Sequence, residues 1–215
     1  MFRVRTSIKN YRSNPAWTYG KSGQGCLDAL DRTGHPFSYG TRGNDAYDLL
    51  QGTIEGGTEV TFFHHVAWVP GTLAGTGKNG LRFSIAILTL PESLPATTFS
   101  TPFSRPSQPE GSALPRPVPT ALPPAAGQVH ELPNGDPASP LRGCSVDLEF
   151  ATLIDTPQMR HLIQDRDLGW RIDGNRIIGW LPGRRTYEEM ISMAETLAAI
   201  TSDFPKEAWE HRAES

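Results

Sequence analysis

Thr58–Trp68, reading TEVTFFHHVAW, is the stretch whose pattern decides the fold. Successive side chains of a strand point to opposite faces, so Val60, Phe62, His64, Val66 and Trp68 share one face and Glu59, Thr61, Phe63, His65 and Ala67 the other. The period is that of a strand, with one strongly apolar side. Toward the N-terminus, Tyr47–Ile54 reads as its hairpin partner, because Glu55, Gly56 and Gly57 supply the positive-φ positions of a short loop. Toward the C-terminus, Leu81, Phe83, Ile85 and Ile87 alternate with Arg82, Ser84 and Ala86 until Pro91, which makes a third strand in a meander. Trp17–Tyr19 and Phe37–Tyr39 read as short edge strands, and Gly71–Gly80 as a loop.

Eleven of the 19 prolines fall between Ser100 and Pro140. Proline removes an amide donor and fixes φ, so this stretch reads as a linker or long disordered insertion, locally extended. Residues 1–99 then form a β-rich N-terminal half, 100–141 the linker and 142–215 a C-terminal half of βαββα order. In that half Val146, Leu148 and Phe150 alternate with Asp147 and Glu149 as a strand running to Ile154. Thr156 and Pro157 open a short helix, and Trp170–Trp180 forms a hairpin around Asp173-Gly174-Asn175. Thr186 with Glu189 is a capping box, and Met190, Met193, Ala194 and Leu197 make an apolar helical stripe. Neither half covers its own apolar surface, so the expectation is one shared core, α+β in class, that survives deletion of residues 104–138.

Twenty Lys and Arg against 23 Asp and Glu, a net charge of −3, argue against a surface built to hold nucleic acid. The charge is unevenly laid out. Arg3, Arg5, Lys9, Arg12 and Lys21 precede the first acid, Asp28, and interleave with Phe2, Val4, Ile8 and Tyr11. One reading of this arm is a solvated terminus; the other is contact with an acidic partner or an anionic membrane surface. Cys26 and Cys144 read as reduced thiols, and the lack of a spanning-length apolar run or signal segment places the expected location in the cytoplasm.

The motifs that would carry catalysis or ligand binding fail on spacing. Gly77-Lys78 resembles a phosphate cradle, but Thr72 and Asn79 stand where Gly and Ser or Thr are needed. His64 and His65 are the weak candidates for a metal, yet neighbours in a strand face apart and cannot share one ion without a bulge. Asp165 and Asp167 begin a calcium pattern that Gly169 and Arg176 break. Asp147 and Glu149 read as the solvated side of a strand, and Arg184 and Arg185 as a solvated turn able to meet an anion. No cofactor is implied.

Several motifs together, the Trp17-Thr18-Tyr19 start, YDLLQGTI at 47–54, the FFHH strand, IAILTLPESLP at 85–95, LEFATLIDTPQMRHLI at 148–163 and GWRIDGNRIIGWLPGR at 169–184, resemble a family of uncharacterised actinobacterial proteins. They are also distantly similar to a broader bacterial domain of unknown function. The likeness spans the chain outside the linker. It implies a soluble part tethered to the inner membrane face by an N-terminal helix in many members, and it brings no catalytic residues. Here the short cationic Met1–Asn14 stands in place of that anchor, so the expectation is peripheral attachment through Arg3, Arg5, Lys9 and Arg12.

The sequence is compatible with two functions. One is a non-catalytic binding or scaffolding module with a protein partner, in the cytoplasm or at the inner membrane face. The other is an enzyme, a hydrolase or metal-dependent, whose site gathers His64 or His65 with Cys26 or Cys144 from afar.

Overall fold

The computed structural model describes residues 2–30, 34–37, 44–69, 79–101, 128–132, 141–212, and its elements run in the order α1 (Phe2–Arg12), β1 (Thr18–Ser22), α2 (Gln24–Asp28), β2 (Asn44–Thr53), β3 (Glu59–Val69), β4 (Asn79–Thr89), β5 (Thr97–Ser100), β6 (His130–Glu131), β7 (Arg142–Ser145), α3 (Leu148–Ile154), α4 (Pro157–Arg166), β8 (Gly169–Asp173), β9 (Arg176–Pro182) and α5 (Tyr187–Ser202), closed by a 3-10 helix, Lys206–Glu210. The class is α+β. All the strands join one antiparallel sheet in the order β1-β2-β3-β4-β9-β8-β5-β7-β6.

The alternating stretch forms β3 at the heart of the first half of the sheet, hydrogen-bonded to β2 on one side and β4 on the other. Gly56 and Gly57 carry the positive φ that the β2–β3 hairpin needs, and the Ile54 amide donates to the Thr58 carbonyl at 3.0 Å across it. β9 then pairs with β4, so the C-terminal hairpin extends the N-terminal meander directly. This is the step that lets α5 lie over β4 and β9.

One apolar cluster fills the α5 side of the sheet. It unites Leu50, Val60 and Phe62 with Met190, Met193 and Leu197, and with Trp170 and Phe150 further along. Both halves of the capping box form: the Glu189 amide donates to the Thr186 hydroxyl and the Thr186 amide to the Glu189 carboxylate at 2.8 Å. The opposite side of the sheet, read from the sequence as the less apolar one, is also a core: Phe63, Phe83, Ile85 and Trp180 pack under Leu27 of α2 and Phe37. Phe37 therefore sits in a buried turn rather than an edge strand; Ser38 and Tyr39 lie outside the described residues.

Three expectations are corrected. Leu148–Ile154 is helix, not strand, so the C-terminal order is β-α-α-β-β-α. Asp147 takes extended φ/ψ and its carboxylate accepts the Phe150 amide at 2.9 Å, which starts a helix whose Phe150, Ala151 and Ile154 fall on one buried face. The N-terminal arm is likewise a helix, with Val4, Ser7, Ile8 and Tyr11 turned toward the body and Tyr11 edge-on to both Trp17 and Tyr187. Inside the 100–141 range taken as linker, Ser100 ends β5, His130–Glu131 forms β6 and Leu141 is buried. Residues 102–127 and 133–140 lie outside the described residues.

β6 makes the deletion experiment sharper. The Leu132 amide donates to the Gly143 carbonyl at 2.9 Å, and Leu132 packs against the main core. Removing 104–138 takes this edge away, whereas removing 104–126 keeps it. The longer deletion is expected to be about 1–2 kcal/mol less stable than the shorter one in denaturant melts, through loss of the β6–β7 edge pairing, the Leu132–Gly143 hydrogen bond and one half-buried leucine.

Gly169 shows how tightly the C-terminal hairpin is closed. It pairs across the ladder with Trp180, whose buried indole lies against it, so a Cβ there would collide with Cε2 and Nε1 of that ring. Gly169→Ala is expected to cost about 2 kcal/mol in urea melts, because the ring is enclosed and has no room to yield.

Candidate functional site

β2 and β3 fall out of register between Tyr47 and Leu50, and Asp48 sits in that bulge with φ of 54°. A non-glycine residue held in the left-handed region is a local strain that its surroundings must compensate. At Asp48 the compensation is visible. The Tyr19 hydroxyl donates to Oδ1 at 3.0 Å and Arg184 Nη2 to Oδ2 at 2.6 Å, while His64 Nδ1 lies 3.4 Å from Oδ2 and the Tyr187 hydroxyl donates to the Asp48 carbonyl at 2.8 Å. Four segments meet on this one residue: β1, β3, the β9–α5 loop and the first turn of α5.

The surroundings hold the cluster tight. His64 is buried, stacks on Tyr47 with centroids 5.6 Å apart, and bonds through Nε2 to the Arg185 carbonyl at 2.9 Å. The Arg184 guanidinium lies 5.4 Å over the Tyr47 ring. Ser84 donates to the Gly183 carbonyl and accepts the Arg185 amide, which fixes the loop that carries both arginines. Arg184 is thus a half-buried ion-pair partner, not the solvated turn residue read from the sequence.

The electrostatics describe an anchor. Burial works to raise the Asp48 pKa, but hydrogen bonds from His64, Arg184 and Tyr19 overcome it and hold the carboxyl below its ordinary value. Burial, with Asp48 and Tyr19 adding, pushes the Tyr187 phenol well above its own. A carboxylate with both oxygens occupied and a phenol that keeps its proton are poor general acids and bases near neutral pH.

His64 and His65 point to opposite faces, as neighbours on a strand must, and each lies in a different core. His65 is fully buried between Phe37, edge-on at 5.2 Å, and Phe83, stacked at 6.0 Å. Burial draws its pKa down to about 4, against the raising influence of Asp45. Cys26 belongs to α2 and Cys144 to β7, both free thiols, and burial raises the Cys26 pKa even with Arg176 nearby. The sheet itself separates His64 from Cys26. Among the described residues no group of three His, Cys, Asp or Glu is placed to hold a metal ion. Asp147, read as a solvated strand carboxylate, instead caps α3 and meets His211 Nδ1 at 2.9 Å.

The cations of the N-terminal segment fall into an order that the helix imposes. At 100° per residue, Arg5, Lys9 and Arg12 form one exposed stripe, while Arg3 falls on the other side. The inner face is fixed to α5: the Ser7 hydroxyl donates to Glu188 at 2.7 Å and accepts the Tyr187 amide at 2.9 Å. Arg12 lies 5.7 Å over the Tyr19 ring, so the stripe runs down to the β1 edge, where exposed Lys21 shares the sheet face of Tyr19. The concentration of cations was legible in the sequence but their alignment on one helix face was not, and neither was the Asp48 hub, whose partners lie up to 139 positions away.

Comparison with solved structures finds the crystal structure of the mycobacterial trehalose monomycolate transport factor A, TtfA, at a TM-score of 0.58 over 95% of this chain and 95% of that one, with 12% sequence identity. At that identity the likeness shows a shared fold. No family model and no curated protein matches the sequence. Among the described residues no helix is long and apolar enough to cross a membrane.

Proposed function

We propose that this chain is a non-catalytic binding module that docks on an anionic membrane surface through the basic face of α1. The observation that carries the reading is the ordered stripe of Arg5, Lys9 and Arg12, exposed along a helix whose other face is bonded to the body at Ser7 and packed edge-on against it at Tyr11. Such a helix presents its charges together. Each cation near an anionic leaflet contributes about 1 kcal/mol, so three of them, helped by Lys21, give reversible attachment that salt weakens.

The Asp48 cluster supports the non-catalytic part, since both carboxylate oxygens and the Tyr19 and Tyr187 hydroxyls are committed to one another and to Arg184. The shared fold with a protein named as a transport factor supports an accessory role, and the mycobacterial source of that protein accords with the resemblance to actinobacterial proteins. A membrane-facing protein partner is the natural extension of the same surface.

Flotation with vesicles rich in phosphatidylglycerol tests it. The protein is expected to float at low ionic strength, to be released by about 0.5 M salt, where screening is nearly complete, and to be lost from the vesicle fraction as the Arg5→Glu, Lys9→Glu, Arg12→Glu triple variant with its melting temperature preserved. Absence of flotation at low salt dismisses membrane docking.

A further inference from the structure

The sheet face opposite α5 is only partly roofed by α2, and beside that helix it opens as a trough of about 520 Å³. Its floor is two rungs of the sheet. Thr18, Gln51 and Thr61 stand across from one another on β1, β2 and β3, and Thr53 opposes Glu59 one rung further on, with Thr89 opposite Arg176 on β4 and β9. The wall is α2 at Cys26 and the residues just past its end, Ala29 and the buried Leu30.

An antiparallel sheet can carry polar residues on one side merely because water wets it. Two features set this surface apart. The wall is fixed to the floor: Arg176 Nη1 donates to the Ala29 carbonyl at 2.9 Å, and the Ala46 amide of β2 donates to Gln24 Oε1 at 3.3 Å. The floor carries one acid and one base on its second rung, and elsewhere hydroxyl and amide groups beside the alkyl side chain of Ile87 opposite Thr61, with Gln51 already donating to the Thr61 hydroxyl at 3.3 Å. Glu59 and Arg176 offset each other, so the trough selects for neither an anion nor a cation.

From this we infer that the trough binds a neutral polyhydroxylated ligand of sugar size. The volume lies within the range of about 300–1,000 Å³ common to small-molecule sites. Neighbouring strands about 4.8 Å apart place hydroxyl and amide groups at a spacing that a rigid ring bearing several hydroxyls can address from one side. Threonine and glutamine both donate and accept, which suits a ligand whose every hydroxyl does the same. The open side makes the affinity low, with a dissociation constant on the order of 1 mM. This site is on the face of the sheet away from the Asp48 hub, so it stands independently of membrane docking.

Amide chemical-shift titration of the full chain with maltose, sucrose and cellobiose tests the inference. The expected result is saturable shifts for at least one of them, concentrated at Gln51, Thr53, Thr61 and Thr89. Thr61→Lys with Thr89→Lys, which fills the trough from two exposed or half-exposed floor positions, is expected to weaken binding at least about tenfold while the rest of the amide spectrum is retained. Absence of saturable shifts for all three sugars at about 20 mM, well above that dissociation constant, overturns it, as do shifts that persist unchanged in the double variant.

Discussion

Asp48→Ala is expected to lower stability by about 3 kcal/mol, more than its partly exposed position would suggest. The loss has two parts. Alanine tolerates φ of 54° poorly, at roughly 1–2 kcal/mol for a residue in the left-handed region, and it also strips the half-buried Arg184 of its counter-charge and the Tyr19 hydroxyl of its acceptor. The parts separate by substitution. Asp48→Gly relieves the backbone and keeps only the second loss, about 2 kcal/mol; Asp48→Asn tolerates the same φ and retains an acceptor oxygen, for about 1 kcal/mol. Urea melts should therefore rank the variants Asn, Gly, Ala in falling stability. An alanine variant within 0.5 kcal/mol of the wild type would mean that the cluster fixes nothing.

The pH dependence of that pair has a definite sign. The folded Asp48 pKa lies below its ordinary 3.8, so the stability it contributes is fully present above that value and is lost as pH falls through the folded pKa. That window lies on the acid side of 3.8.

His65 governs a different and higher window, and its effect is of the same size. Its ordinary pKa of 6.5 falls to about 4 in the folded state, so between those values the unfolded chain binds a proton that the folded chain refuses. Stability then decreases as pH falls, by about 1.4 kcal/mol per unit and about 3 kcal/mol in all by pH 4. The groups facing the ring are Phe37 and Phe83, with Asp45 the charge that acts on it. His65→Leu keeps an apolar side chain of similar bulk in this core and should flatten the slope between pH 6.5 and 4. Equal slopes in the two proteins would place the acid sensitivity elsewhere.

How far each feature could be read in advance follows from how local its cause is. β2, β3 and β4 show as alternation, the two hairpins as Gly-containing turns, and α5 as a capping box followed by an apolar stripe, since each is set by residues within a few positions of one another. Val146–Ile154 misled because three apolar residues at alternating positions, Val146, Leu148 and Phe150, also fit the start of a short helix. The deciding event is the cap that Asp147 makes with the Phe150 amide, an Asp side chain choosing among local partners. The N-terminal helix misled differently: eleven residues with four cations hardly form a stable helix alone, and α1 is held by Ser7 and Tyr11 against Tyr187 and Glu188, roughly the whole chain away.

The site divides along the same line. That His64 and His65 face apart is a property of the strand backbone and needed only the sequence. That one meets Asp48 and the Arg185 carbonyl while the other is enclosed by Phe37 and Phe83 depended on what covers each side of the sheet. The sequence by itself determined the strands, the last helix and the concentration of positive charge at the start of the chain, because hydrophobic period, capping and charge are written in neighbouring residues. Only the tertiary structure decided that the sheet is covered on both faces, that a bulge turns Asp48 into a meeting point for four segments, and that three of the N-terminal cations line up on one face. Those outcomes come from burial, and burial joins residues that chain order keeps apart.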